Sequence, residues 1–249
     1  MGDGRFARKV VVVTGGSRGM GRAMVRAFAA EGASVVIASR KIEACRELAD
    51  EVGAAHGVAT LPVACNVSRW DDCDALVAAV DETFGRVDVL VNNAGLSPLY
   101  PALDEVSEGL FDKVLGVNLK GPFRLSAACG TRMVAAGGGA IVNISSIAAI
   151  RPGPAELPYA MAKAGLNTLT EGLAQAFGPS VRVNAVQAGP FRTDIATAWT
   201  PEVVERFERS AALGRLGEPE EVVPAVLHLA SAEASFTTGA VLRVDGGMP

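Results

Sequence analysis

Two hydrophobic periods alternate along the chain. Short β-branched runs, apolar on both faces, are separated by longer stretches whose apolar residues recur every three or four positions. The first pattern predicts buried strands and the second amphipathic helices. "KVVVVTG" is a first strand and "MGRAMVRAFAAEG" a helix closed by Gly32. "SVVIASR" is a second strand, "IEACRELADEVG" a helix ending at Gly53, and "GVATLPVACNV" holds a third strand. "WDDCDALVAAVDETFG" is a helix and "VDVLVNNAG" a fourth strand with a polar end. Two helical stretches follow, around Glu105–Val117 and Pro122–Ala136, then the strand "GAIVNISS", the helix "PYAMAKAGLNTLTEGLAQAFG" and the strand "VRVNAVQAG". A looser segment, Pro190 to Leu213, precedes the helix "PEEVVPAVLHLAS" and the last strand, "AVLRVDGG". Strands apolar on both faces belong to a parallel sheet covered on each side. Their alternation with helices predicts one α/β domain over 1–249, a doubly wound, mostly parallel, seven-stranded sheet with helices on both faces.

Composition narrows the class. The 249 residues are 49% hydrophobic and 20% charged, enough to build a sizeable core. A net charge of −4 without a basic stripe argues against nucleic acid and against an anionic membrane surface. Cys45, Cys65, Cys73 and Cys129 form no C-x-x-C, and His56 and His228 are the only histidines, so the thiols read as free cysteines in a reducing cytoplasm and no metal site is expected. The apolar run near the N-terminus is too short for a secretory core or a membrane span, and Gly2 is followed by Phe6 where a myristoylation signal wants Ser or Thr.

Chemistry enters with "TGGSRGMG", Thr14 to Gly21, between the first strand and the first helix. Gly15, Gly19 and Gly21 give a tight turn and a bare backbone, and the helix N-terminus offers free N–H groups to a pyrophosphate. That placement predicts a Rossmann-type dinucleotide site, with Ser17, Arg18 and Met20 in the same loop. An acid at the end of the second strand would bind ribose hydroxyls, but Ser39 and Arg40 stand there. Arg40, joined by Arg18, suits a 2′-phosphate, so NADP(H) is the preferred cofactor and NAD(H) remains possible. In "YAMAK", Tyr159 and Lys163 are four residues apart in a run of helix formers and share one helical face.

Taken in order, "TGGSRGMG", "NNAG" (Asn92–Gly95), "NLKG" (Asn118–Gly121), Ser146, "YAMAK" and the tail "VDGG" make the chain resemble the short-chain dehydrogenase/reductase family over nearly its whole length. The resemblance implies an NAD(P)-dependent oxidoreductase acting on a carbonyl or secondary alcohol, with Asn118, Ser146, Tyr159 and Lys163 as the catalytic set. The family's serine stands thirteen residues before its tyrosine, which selects Ser146 over Ser145. The family's cofactor contacts fall on Asn66, Val67, Asn93, Ala94, Gly95, Tyr159, Lys163, Gly189 and Thr193. Two positions depart from its pattern: Asn66 replaces an aspartate, its amide oxygen still able to accept from the adenine amino group, and Ala188-Gly189 replaces Pro-Gly, with the proline displaced to Pro190.

The implied roles follow acid–base logic. A tyrosine with a pKa near about 10 relays protons poorly at neutrality, and a cation within about 4–6 Å lowers it by about 1–3 units. Lys163 would tune Tyr159, Ser146 would hold the substrate oxygen, and Asn118 would hold a water. Asn92, Asn143 and Ser145 read as structural. Phe191, Trp199 and Phe207 either cover the substrate as a lid over 190–213 or pack that segment down. Three-oxoacyl-thioester, sugar or polyol, and steroid substrates are all open, decided by "LSPLYPALDE", "IAAIRPGPAEL" and 190–213. Arg151 reads as an exposed loop arginine, with an anionic substrate the alternative. A non-catalytic NADP(H) sensor is disfavoured because a sensor needs neither Ser146 nor Tyr159. Small and apolar residues on several faces of the helices at 123–136 and 159–177 predict a homotetramer or homodimer.

Overall fold

Five consecutive buried residues, Val10–Thr14, form β1 at the centre of the sheet, where a strand is covered on both faces. In this computed structural model, which describes residues 4–194, 196 and 199–249, the sheet has seven strands in the order β3-β2-β1-β4-β5-β6-β7. They are β2 (Ser34–Ser39), β3 (Thr60–Ala64), β4 (Val89–Asn92), β5 (Gly139–Ser146), β6 (Val181–Ala188) and β7 (Val241–Val244). All pairings are parallel. Gly2 and the lipidation reading attached to it, with Ile195, Thr197 and Ala198 of the expected lid, lie outside the described residues.

Period-two alternation assigns β1 side chains to two cores. Val11 and Val13 join Met24 and Phe28 of α1 (Gly19–Ala30), Leu48 of α2 (Ile42–His56) and Val226 of α8 (Val223–Ala230). Val10 and Val12 face Leu76 of α3 (Trp70–Phe84), Leu125 of α5 (Gly121–Ala135) and Leu173 of α6 (Leu157–Phe177). After β3 the chain crosses to β4 on the other side of β1. That reversal opens a crevice at the carboxyl ends of β1 and β4, where open α/β sheets bind ligands.

Three elements differ from expectation. Helix α2 runs past Gly53 to His56 and ends at Gly57, whose φ of 66° supplies the left-handed cap. The two helical stretches around residues 105–136 are nearly one rod: α4 (Glu108–Leu115) passes through a π turn, Gly116–Lys120, into α5. Pro122 has no N–H to continue the α ladder, and the Asn118 side chain donates into it, to the Val114 carbonyl at 2.9 Å. The looser segment after β6 contains a ten-residue helix, α7 (Pro201–Ser210), started by Pro201. With charged residues at half its positions and nothing fully buried, α7 carries only a narrow apolar stripe, Val203, Val204 and Phe207, at helical spacing.

Candidate active site

The glycine loop and the turn after β4 are stitched into one surface at the crevice. Gly15 has φ +61°, and a Cβ there would lie 2.9 Å from the Ala94 Cα, so only glycine fits. Asn93 donates its side-chain amide to the Thr14 and Gly15 carbonyls at 2.9 and 3.1 Å, and the Asn93 and Ala94 N–H groups donate to the Thr14 hydroxyl. A Cβ on Gly21 would strike the Gly15 carbonyl. Arg18, at the N-cap of α1, contributes no side-chain cap, so the first N–H groups of the helix, around Gly19, Met20 and Gly21, keep their capacity for an anion. This cradle fits a dinucleotide pyrophosphate.

At the end of β2, Ser39 accepts from the Ser17 hydroxyl at 3.0 Å and lies 3.0 Å from the Cys45 sulfur. Arg40 is exposed beside it. Arg18 is already engaged elsewhere, its Nη1 standing 3.1 Å from Asp194 Oδ2 in the segment after β6. Asn66 also differs from expectation. Its amide oxygen accepts from the Ser68 N–H and hydroxyl at 3.2 and 2.9 Å, so both lone pairs are taken up by its own turn. Val67 is buried under α5, where a Cβ on Gly121 would strike the Val67 carbonyl. Gly189 donates to the Val244 carbonyl at 2.9 Å and packs flush on Asp245, so the Ala188-Gly189 sequence keeps the loop against β7. Thr193 lies over the glycine loop, 3.5 Å from the position of a Cβ on Gly19.

Ser146, Tyr159 and Lys163 converge where β5 ends and α6 begins. Ser146 caps the turn that follows, accepting from the Ala148 N–H at 3.2 Å. Lys163 is 4% exposed, donates to the Ile144 carbonyl at 2.6 Å and stands 5.6 Å from the centre of the Tyr159 ring. Burial brings the Lys163 ammonium down to about 8. Burial pushes the Tyr159 phenol up to about 12, against a lowering by the Ser146 hydroxyl, and the charge of Glu156 raises it further. This reverses the expected direction: desolvation of the phenol outweighs the Ser146 hydroxyl, while the Lys163 ammonium donates to Ile144. Asn118 is fully buried in the π turn. Its two amide hydrogens go to the Leu96 and Val114 carbonyls and its oxygen accepts from the Leu96 N–H at 3.2 Å. It therefore clamps the loop after Gly95, and neither amide hydrogen is left for a water.

Behind the site, Asn92 donates to Ser126 and to Asn143, and Asn143 donates to Thr170, a buried chain linking β4, β5, α5 and α6. These are structural roles, as expected. Phe191 is 6% exposed and belongs to the core, whereas the Trp199 and Phe207 rings meet at a tilt of 56°, their centres 5.0 Å apart. Arg151 is exposed and donates to the Pro249 carbonyl at 3.0 Å. Sequence reasoning missed two groups at the cleft. Glu156 precedes Tyr159 by one helical turn, and that spacing is the signal that could have found it. Asp194, the partner of Arg18, carries no signal, being brought there by the path of the chain.

Residues 15–249 match a family model described as enoyl-(acyl carrier protein) reductase. The chain is 42% identical over 248 residues to L-rhamnose 1-dehydrogenase (NAD(P)(+)) of Azotobacter vinelandii, covering 96% of each sequence. It is 36% identical to a 3-oxoacyl-(acyl-carrier-protein) reductase of Thermotoga maritima, covering 98% of this chain and 99% of that one. L-sorbose reductase of Gluconobacter frateurii, solved with NADPH and L-sorbose, superposes with a TM-score of 0.91 at 30% identity, over 99% of this chain and 98% of that one.

Proposed function

Because the chain belongs to the short-chain dehydrogenase/reductase family, we propose that it is an NADP(H)-preferring oxidoreductase that interconverts a carbonyl and a secondary alcohol, with Tyr159, Ser146, Lys163 and Asn118 as its working residues. The observation that carries the reading is the convergence of Tyr159, Ser146 and Lys163 beside a cradle that admits only backbone. Gly15, Ser17, Gly19, Met20 and Gly21 would hold the pyrophosphate. The backbone at Asn66 and Val67 would frame the adenine, and Asn93, Ala94, Gly95, Gly189 and Thr193 would line the nicotinamide end. The nicotinamide supplies the hydride chemistry when bound.

The chain's own residues manage the proton. With its phenol pushed up to about 12, Tyr159 holds its proton at neutral pH, the form required of a general acid donating to an alkoxide oxygen. Ser146 donates a hydrogen bond to that same oxygen and stabilises the charge developing on it. Lys163 stays largely cationic at neutral pH and offsets charge left on the phenolate. Asn118 positions the floor of the cleft by fixing Leu96.

The cofactor preference rests on Ser39 and Arg40. No carboxylate stands there to repel a 2′-phosphate, and Arg40 can pair with one. Arg18 adds to this only by leaving Asp194. A cytoplasmic setting suits four buried free thiols, and no helix among the described residues is long and apolar enough to cross a membrane. We read 1–249 as one domain. The test compares kcat/KM with NADPH and NADH for wild type, Tyr159→Phe and Arg40→Ala. Tyr159→Phe should lose at least about a hundredfold in turnover while still binding cofactor. Wild type should prefer NADPH by about tenfold to a hundredfold, and Arg40→Ala should erase most of that. Full turnover in Tyr159→Phe, or a wild type preferring NADH, would refute the corresponding half.

A further inference from the structure

The named substrates of the relatives include both a sugar and an acyl thioester, so likeness alone does not choose a substrate class. The turn that leads into α6 does. Glu156 ends a short 3-10 turn, Pro154–Glu156, and lies one helical turn before Tyr159, on the same face. Tyr100, from the loop after β4, locks this turn: its hydroxyl donates to the Pro154 carbonyl at 2.6 Å and accepts from the Leu157 N–H at 2.9 Å. The carboxylate folds back over the turn, with Oε1 3.4 Å from where a Cβ on Gly153 would be. It is half-buried, and its charge acts on the Tyr159 phenol. From the other side α7 brings Arg206, whose charge acts on Glu156 and whose guanidinium lies over the Phe207 ring at 5.5 Å, in the stack with Trp199.

Resting on the oxidoreductase reading of this site, we infer that Glu156 accepts a hydrogen bond from a substrate hydroxyl next to the reacting carbon, and that the substrate is a neutral polyhydroxylated compound of the sugar or polyol class. The half-buried Glu156 carboxylate takes one donor from the Gly153 N–H and has acceptor capacity left for a hydroxyl in the cleft. A vicinal hydroxyl fills that capacity. The carbons flanking the ketone of a 3-oxoacyl thioester carry no O–H and would leave the carboxylate facing C–H groups. A hydroxy or keto acid would add a second negative charge beside the first. Burial raises the Glu156 carboxyl, against lowering by the Gly153 N–H and by Arg206, so it has been desolvated before substrate arrives. The Trp199–Phe207 pair, its rings tilted at 56°, offers apolar ring surface against which the C–H face of a sugar can rest.

The experiment uses matched probes: cyclohexane-1,2-diol against cyclohexanol, with aldoses and hexitols alongside and an acetoacetyl thioester in the reducing direction. Wild type should favour the diol over the monohydric alcohol in kcat/KM by about tenfold or more, through KM. Glu156→Ala should collapse that ratio, and Glu156→Gln, which keeps an acceptor, should restore part of it. A role in shaping the turn alone would lower both alcohols together and leave the ratio standing. Equal use of diol and cyclohexanol by wild type, an unchanged ratio in Glu156→Ala, or a tenfold better thioester would each overturn the inference. A wild type inert toward every probe, cyclohexanone included, would bring down the oxidoreductase reading and the inference with it. Active wild type without diol preference brings down the inference alone.

Discussion

Lys163 illustrates how a side chain proposed to serve chemistry can cost stability. Its ammonium is almost fully buried and its pKa falls from 10.5 to about 8 through desolvation. The sign follows from which state holds the proton. Below pH 8 both states are protonated and the folded chain carries the whole desolvation penalty. Between about pH 8 and 10.5 the folded lysine releases a proton that the unfolded chain retains, so stability rises with pH across that window. Lys163→Met should therefore be more stable than wild type at pH 7 by about 1–3 kcal/mol, less the lost bond to Ile144, while turnover collapses. Thermal unfolding at pH 7 and pH 10 checks this; an advantage that does not shrink at the higher pH counts against it. At this scale the sequence made the shared helical face of Tyr159 and Lys163 legible, because four-residue spacing is a local property, whereas Ser146 came only through the family resemblance. It could not reveal the direction of the Tyr159 shift, which depends on burial by residues far away in the chain. Nor could it show that Asn66 commits its oxygen to Ser68.

Between elements, Asp88 binds the start of β4 to the start of β1. Its carboxylate accepts from the Val10 N–H at 2.9 Å, from Arg86 Nε at 2.9 Å and from Lys9 at 3.3 Å. Burial alone would raise its pKa, but the bonds to Arg86 and Val10 and the charges of Lys9 and Arg86 win, and the carboxyl is held below its ordinary 3.8. A depressed folded pKa stabilises above the unfolded value and is lost as pH falls through the folded one. Asp88→Asn should cost about 1–3 kcal/mol at pH 7, and the gap to wild type should narrow below about pH 4. Denaturant titrations at pH 7 and pH 3 measure it; an equal gap at both removes the charge from the account. The inner strands were legible here because a doubly covered strand is apolar on both faces. Helix α7 has a helical period too, at Val203, Val204 and Phe207, but three part-buried residues among five charged ones left the segment reading as loose. The π turn was invisible for another reason: Gly116–Lys120 falls where the sequence read two separate helical stretches, so no continuous period was there to show the extra residue.

At the scale of the whole molecule, an apolar surface among the described residues remains uncovered. Leu115, Leu119, Phe123, Leu169 and Leu173 line a groove between α5 and α6 whose floor includes Gly165 and Gly172. Phe123 is 46% exposed, a large apolar area for a lone chain to leave in water. We propose that a second copy covers it, in a dimer or a tetramer. A Cβ on Gly172 meets nothing within 4 Å, so the chain itself tolerates a side chain there. Gly172→Arg should keep the fold and shift light scattering toward the 25.6 kDa monomer; an unchanged assembly would place the interface elsewhere. The π turn also carries a consequence for editing the gene. The backbone stays right-handed helical from Glu108 to Ala135, so five-residue bonding at Gly116–Lys120 amounts to one extra residue threaded into a continuous rod. Deleting one residue there would offer the rod a regular α ladder and swing everything after it by about 100°. Leu125, Cys129 and Met133 would leave the core together, and Asn118 would lose its hold on Leu96. Point substitutions on the exposed surface of α5 should be absorbed one at a time, whereas this one-codon deletion should yield insoluble protein, because the reading frame of the helix is also the address of the site.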